Sequence, residues 1–106
     1  MVHLIENISP VDLGGGVIRR VMNRDQRLMV VQVDFDTGAV GAIHTHPHAQ
    51  VTICASGRFR LTLGTETCEI GPGDVYYCDP MQPHGVLCLE AGRLTDVFSP
   101  RRDDFL

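Results

Sequence analysis

The sequence predicts an all-β fold, a barrel or a sandwich in a single domain. Short runs of alternating apolar and polar residues recur at intervals of about ten residues. Gly- or Pro-containing turns separate these runs. No stretch of about ten residues or more carries the 3.6-residue apolar repeat of an amphipathic helix.

The elements follow in order. Residues 1–16 show little periodicity and end in Gly14-Gly15-Gly16, which predicts an arm with at most a short edge strand. Val17 to Asn23 alternates loosely before a turn at Arg24-Asp25. Leu28 to Phe35 reads as a strand, with Met29, Val31, Val33 and Phe35 on one face and Gln32 and Asp34 on the other. Asp36-Thr37-Gly38 turns the chain. Val51 to Cys54 is a β-rich run that Ala55-Ser56-Gly57 is expected to stop. Phe59, Leu61 and Leu63 alternate with polar residues, and a turn at Gly64 leads to Thr67–Ile70. Gly71-Pro72-Gly73-Asp74 is a tight turn before Val75–Cys78. Pro80 and Pro83 lack an amide donor, which excludes regular strand across 79–83. Gly85–Leu89 and Leu94–Phe98 read as two final strands separated by Glu90-Ala91-Gly92. The last six residues, Arg101 to Leu106, are a loose tail or a segment that docks.

Composition narrows the function. A chain of 106 residues supports one core. Its formal net charge of −4 and its isolated Arg19-Arg20 and Arg101-Arg102 pairs, read as solvated, argue against a nucleic-acid surface. No apolar run approaches the roughly 20 residues of a membrane helix, and no signal peptide is visible. The four cysteines, Cys54, Cys68, Cys78 and Cys88, form no CxxC pair and read as buried reduced thiols. Together these features lead us to expect a cytoplasmic protein.

One stretch stands apart. His44, His46, His48 and Gln50 fall within seven residues of a chain holding five histidines. The i, i+2 spacing of His44 and His46 places both imidazoles on one face of a strand, and Gln50 returns to that face if the chain stays extended. His84, between Pro83 and Gly85, can close a metal site from a distant strand. A surface loop rich in His and Pro has the same composition.

Two motifs decide between these readings. Gly38-x5-His44-x-His46-x3-Gln50-x6-Gly57 and Gly73-Asp74-x4-Asp79-x4-His84 resemble the paired motifs of the cupin superfamily. The resemblance implies a single-domain jelly-roll β-barrel with a central metal, and makes His44, His46, Gln50 and His84 the ligands of one divalent ion (Zn, Ni, Mn or Fe). His48 falls outside that set. Gln50 replaces the usual Glu, and Asp79-Pro80-Met81 departs from the usual second motif. Leu13-Gly14-x-Gly16-Val17, Leu28 to Val31, His84-Gly85 and Asp96-Val97-Phe98-x-Pro100-x-Arg102-x-Asp104-Phe105-Leu106 extend the likeness to the KdgF-type small cupins. These convert 4,5-unsaturated uronates from pectin or alginate into linear keto forms.

By that resemblance residues 1–16 are an arm, 17–98 the barrel and 99–106 an active-site segment. Asp96 and Arg102 become catalytic residues, and Arg102 and Phe98 contact the substrate. By periodicity alone, Asp96 faces solvent as readily as a barrel interior. Among Leu94 and Phe98 on an inward face, it would be desolvated and suited to proton transfer. Arg102 offers a planar fork for a carboxylate. A neutral Gln50 leaves the metal its full charge, which favours electrophilic stabilisation over oxygen chemistry. The partners implied are a small unsaturated uronate, no nucleic acid, no membrane, and a second copy in a homodimer. The alternatives are a non-catalytic metal-dependent sugar-acid binder and another cupin enzyme such as a dioxygenase.

Overall fold

The computed structural model describes residues 1–106 and is all-β, as expected. Eight strands form in chain order: β1 Val11–Gly14, β2 Val17–Val21, β3 Met29–Phe35, β4 Val40–His44, β5 Ala49–Leu63, β6 Glu66–Ile70, β7 Val75–Cys78 and β8 His84–Ser99. Two one-turn 3₁₀ segments, Ile5–Asn7 and Asp103–Phe105, lie near the ends.

The architecture turns on β5 and β8. They pair antiparallel along their whole length, from Ala49 opposite Ser99 to Leu63 opposite His84. The first half of β5 also pairs β7, and the second half pairs β6. The second half of β8 also pairs β3, and the first half pairs β4. One wall is therefore β1-β2-β3-β8-β5-β7 and the other is β4-β8-β5-β6, which is the jelly-roll arrangement.

The interruptions expected at 55–57 and 90–92 do not form. Both strands run through them as bulged corners where the ribbon passes from one wall to the other. Between the Cys54–Leu94 and Phe59–Cys88 pairs, β5 advances five residues and β8 six, so the register slips by one. Gln50, Thr52 and Cys54 point inward before it, whereas Phe59 and Leu61 point inward after it. In β8, His84, Cys88, Leu94 and Phe98 keep the same parity throughout. One slip of register thus exchanges a polar inner face for an apolar one.

That apolar half carries most of the core. Phe59, Leu61, Ile70, Cys88 and Leu94 belong to one buried cluster, with Phe35 edge-on to Phe59 at 5.3 Å. Burying a side chain such as Phe59, which has no exposed surface, contributes about 1.5–3 kcal/mol. A second cluster, Met29, Val31 and Phe98, lies toward the opposite end. β3 alternates as predicted, with Met29, Val31 and Phe35 buried. Three cysteines are buried and free, but Cys68 is exposed, because β6 is a short edge strand with outward residues. The arm forms one edge strand, β1, paired only with β2. No helix of the chain is long and apolar enough to cross a membrane.

On the outer face, Asp34 accepts hydrogen bonds from Arg93 Nε at 2.6 Å and Nη2 at 3.0 Å, and from Arg20 Nη1 at 2.9 Å. This joins β2, β3 and β8 and removes Arg20 from the solvated set. The Arg93 hydrogen bonds, then its charge and Arg20, hold the Asp34 carboxyl below its usual value. A depressed carboxyl stabilises the fold above its unfolded pKa and loses that contribution as pH falls through its folded value. Asp34→Asn is therefore expected to lower stability by ~1 kcal/mol near neutral pH. Urea unfolding of the two proteins should converge below about pH 4, as native Asp34 protonates.

Candidate metal centre and cavity

Extended chain from His44 to Gln50 is not what forms. His44 ends β4, Pro47 lies in a bend, and Gln50 belongs to β5. The bend returns the chain so that both motifs meet. His44 pairs with His84 across β4 and β8. Ligand atoms of His44, His46 and His84 all lie within 4.8 Å of one another. The ring centroids of His84 lie 4.3 Å from His44 and 4.8 Å from His46. Gln50 Oε1 lies 2.8 Å from His46 Nε2.

The backbone sets each imidazole's tautomer. Nδ1 of His44 lies 2.8 Å from the Ala42 carbonyl oxygen, Nδ1 of His46 3.1 Å from that of His48, and Nδ1 of His84 2.9 Å from that of Gln82. A proton on each Nδ1 satisfies these carbonyls and leaves every Nε2 a lone pair. Burial pushes the His84 pKa down to about 4, aided by His44 and His46, and lowers that of His46. Neutral rings are the ligating form.

Two observations test the fit of a cation. His84 Nε2 is buried and bonded to nothing. His46 Nε2, an acceptor in this tautomer, faces Gln50 Oε1, another acceptor. Two lone pairs at 2.8 Å repel unless a cation lies in front of both. Three imidazoles and one amide oxygen suit a borderline divalent ion.

The remaining residues line a cavity of about 310 Å³ between the two walls, in the size range of small-molecule sites. Asp96, Phe98 and Arg102 all border it, beside His44, Gln50 and His84. Asp96 faces inward opposite Thr52. Thr52 Oγ1 donates to Asp96 Oδ1 at 2.6 Å, and Gln50 Nε2 donates to Thr52 Oγ1 at 2.8 Å and to Asp96 Oδ1 at 3.3 Å. These bonds orient the Gln50 amide with its oxygen toward His46. Burial pushes the Asp96 carboxyl up to about 6, against opposing pulls from Thr52 and Arg102.

The C-terminal segment docks over the cavity mouth. Arg102 is 7% exposed and donates twice to Asp104, from Nε at 2.9 Å and Nη2 at 2.7 Å. Its guanidinium lies 5.0 Å from the Phe98 ring and 4.1 Å from the Phe105 ring. Phe105 packs edge-on to Phe98 at 5.8 Å.

Three contributors are not assigned by the sequence: Thr52, which bonds Gln50 and Asp96, and Tyr76 and Arg19, which line the cavity. Thr52 follows Gln50 by two, a spacing that could have revealed it. Arg19, read as solvated, lines the cavity and stacks 4.0 Å from the Phe105 ring. His48 acts through its backbone carbonyl and lies edge-on to His46 at 5.4 Å. His3 is exposed.

A jelly roll that converges three imidazoles and an amide on its interior defines a cupin, and the cupin domain model matches residues 31–98. The chain is 39% identical over 107 residues to the pectin degradation protein KdgF of Dickeya dadantii (strain 3937), covering 98% of this chain and 97% of that protein. The structure of KdgF from Halomonas sp. superposes with a TM-score of 0.95 at 34% identity, over 100% of both chains. An RmlC-like cupin from Shewanella frigidimarina NCIMB 400 matches with a TM-score of 0.95 at 34% identity, over 99% of this chain and 95% of the other. The chain belongs to the cupin family and, within it, to the KdgF family.

Proposed function

We propose that this protein opens 4,5-unsaturated uronates and converts them to linear keto acids. One observation carries the reading: a desolvated carboxyl, Asp96, shares a small cavity with a converging donor set and with arginine. Kinship with a pectin degradation protein supports a uronate as the substrate.

His44, His46, Gln50 and His84 would hold one divalent ion. Bound there, the ion supplies Lewis-acid stabilisation to negative charge developing on the ring oxygen and carboxylate. The protein's own groups do the rest. Arg102 orients the uronate carboxylate with the part of its fork that Asp104 leaves free. Phe98 offers a flat apolar surface to the sugar ring. Asp96 takes the proton of the C1 hydroxyl as the C1–O5 bond breaks. C1 becomes an aldehyde, and the electron pair forms an enolate over C4, C5 and O5. Asp96 returns the proton to C4, leaving a ketone at C5. One proton moves and nothing is oxidised, so one carboxyl suffices as base and acid. The docked C-terminal segment limits access of bulk water to the enolate.

The test follows the conjugated double bond. Metal-loaded protein should accelerate loss of its ultraviolet absorbance in a 4,5-unsaturated uronate, and chelation should abolish the acceleration. Decay unchanged by the loaded protein overturns the reading. Binding without decay assigns the chain instead to a sugar-acid binder.

A further inference from the structure

We infer that Arg19 is a second carboxylate-recognition residue, which makes the site select free uronic acids over their esters; the inference rests on the uronate reading. Strand β2 alternates, so Val17 and Arg19 face the interior while Ile18 and Arg20 face out. Arg20 is satisfied by Asp34. Arg19 forms no ion pair, and its Nε is buried without a hydrogen-bond partner. A buried N–H donor left without a partner is costly unless something completes it.

What completes it is indicated by the cavity around it. Asp96 is the one carboxylate bordering the cavity, and Thr52 and Gln50 already donate to it. Arg102 is committed through two of its nitrogens to Asp104, so its charge is largely balanced. Arg19 is therefore the cation of the cavity without an ion-pair partner: Asp104 acts on it only at longer range, and Arg102 opposes it. Phe105, 4.0 Å from Arg19 and 4.1 Å from Arg102, holds both guanidiniums at the mouth. A planar fork with free donors at an apolar wall fits a carboxylate entering from solvent. A methyl ester carries no charge and offers only a neutral carbonyl acceptor, so it completes such a site less well. The reaction that supplies this substrate must then deliver a de-esterified product of polyuronate β-elimination.

Calorimetric binding of galacturonate and of its methyl ester, both saturated and unreactive, tests this on metal-loaded protein. The native chain should prefer the acid. Arg19→Gln should weaken acid binding by about 10- to 100-fold, the range of a charge-assisted hydrogen bond, and change ester binding less than about threefold. Arg19→Lys should recover part of the loss. A merely structural role, acting through Phe105, would weaken acid and ester alike, and that result overturns the inference. So does an unchanged affinity for the acid in Arg19→Gln, or a native chain indifferent to esterification. These binding ratios need no turnover, so they stand apart from the absorbance test of the proposed reaction.

Discussion

Asp96→Asn is expected to lower kcat by about 10²- to 10⁴-fold, the usual contribution of a positioned general acid–base, while galacturonate binding stays within about threefold. Asparagine keeps the shape and can still accept from Thr52, the 2.6 Å bond that anchors the native carboxyl. It cannot take a proton from the C1 hydroxyl. The donor set is untouched, because the Gln50 amide keeps its Thr52 partner. The pH dependence adds a second check. Asp96 must be ionised to act as base, and burial, set against its hydrogen bonds and Arg102, raises it to about 6. A nearby dication favours the ionised form. The acidic limb of kcat/KM is thus expected at or below about pH 6, with rate rising as pH rises through it. A full rate in Asp96→Asn would place the proton transfer on another group.

How far such a site can be read from sequence depends on which contacts are local. Strand alternation is local, and β3 could be assigned from Met29, Val31 and Phe35 because one face is buried and the other is not. The cupin spacing is also local, so the histidines and Gln50 were identifiable in advance as a group. What brings Gln50 to them is a bend at Pro47 rather than a single extended strand. Arg19 was illegible for the opposite reason. Nothing in Ile18-Arg19-Arg20 distinguishes the arginine that faces Asp34 from the one that faces the cavity. Only the pairing of β2 with β3 decides it. The corners of β5 and β8 read as strand ends in the sequence because Gly57 and Gly92 look like turn residues. Their glycines instead serve close approach between two strands that continue.

Gly92→Ala is expected to destabilise the fold by more than about 4 kcal/mol, beyond the usual range for single substitutions and close to the whole stability of many domains. A Cβ on Gly92 would overlap the Ser56 carbonyl and the Gly57 Cα, both backbone and unable to rotate away. Gly57 is the mirror case: its φ is +80°, and a Cβ there would lie 2.5 Å from the Glu90 carbonyl oxygen. The two glycines permit backbone-on-backbone contact where the ribbon changes walls. Gly38→Ala is the control, since its φ is +87° but a Cβ would meet nothing within 4 Å. It should cost only about 1–2 kcal/mol, the left-handed penalty alone. Urea unfolding of the three proteins measures the difference. A Gly92→Ala protein within about 1 kcal/mol of native would show that the corner relaxes freely. The corner also sets function, since its single-residue slip sets Thr52 opposite Asp96 on one wall and Leu63 opposite His84 on the other. Any Gly92→Ala molecules that fold should therefore bind metal and uronate more weakly than native, although no residue of the cavity has changed.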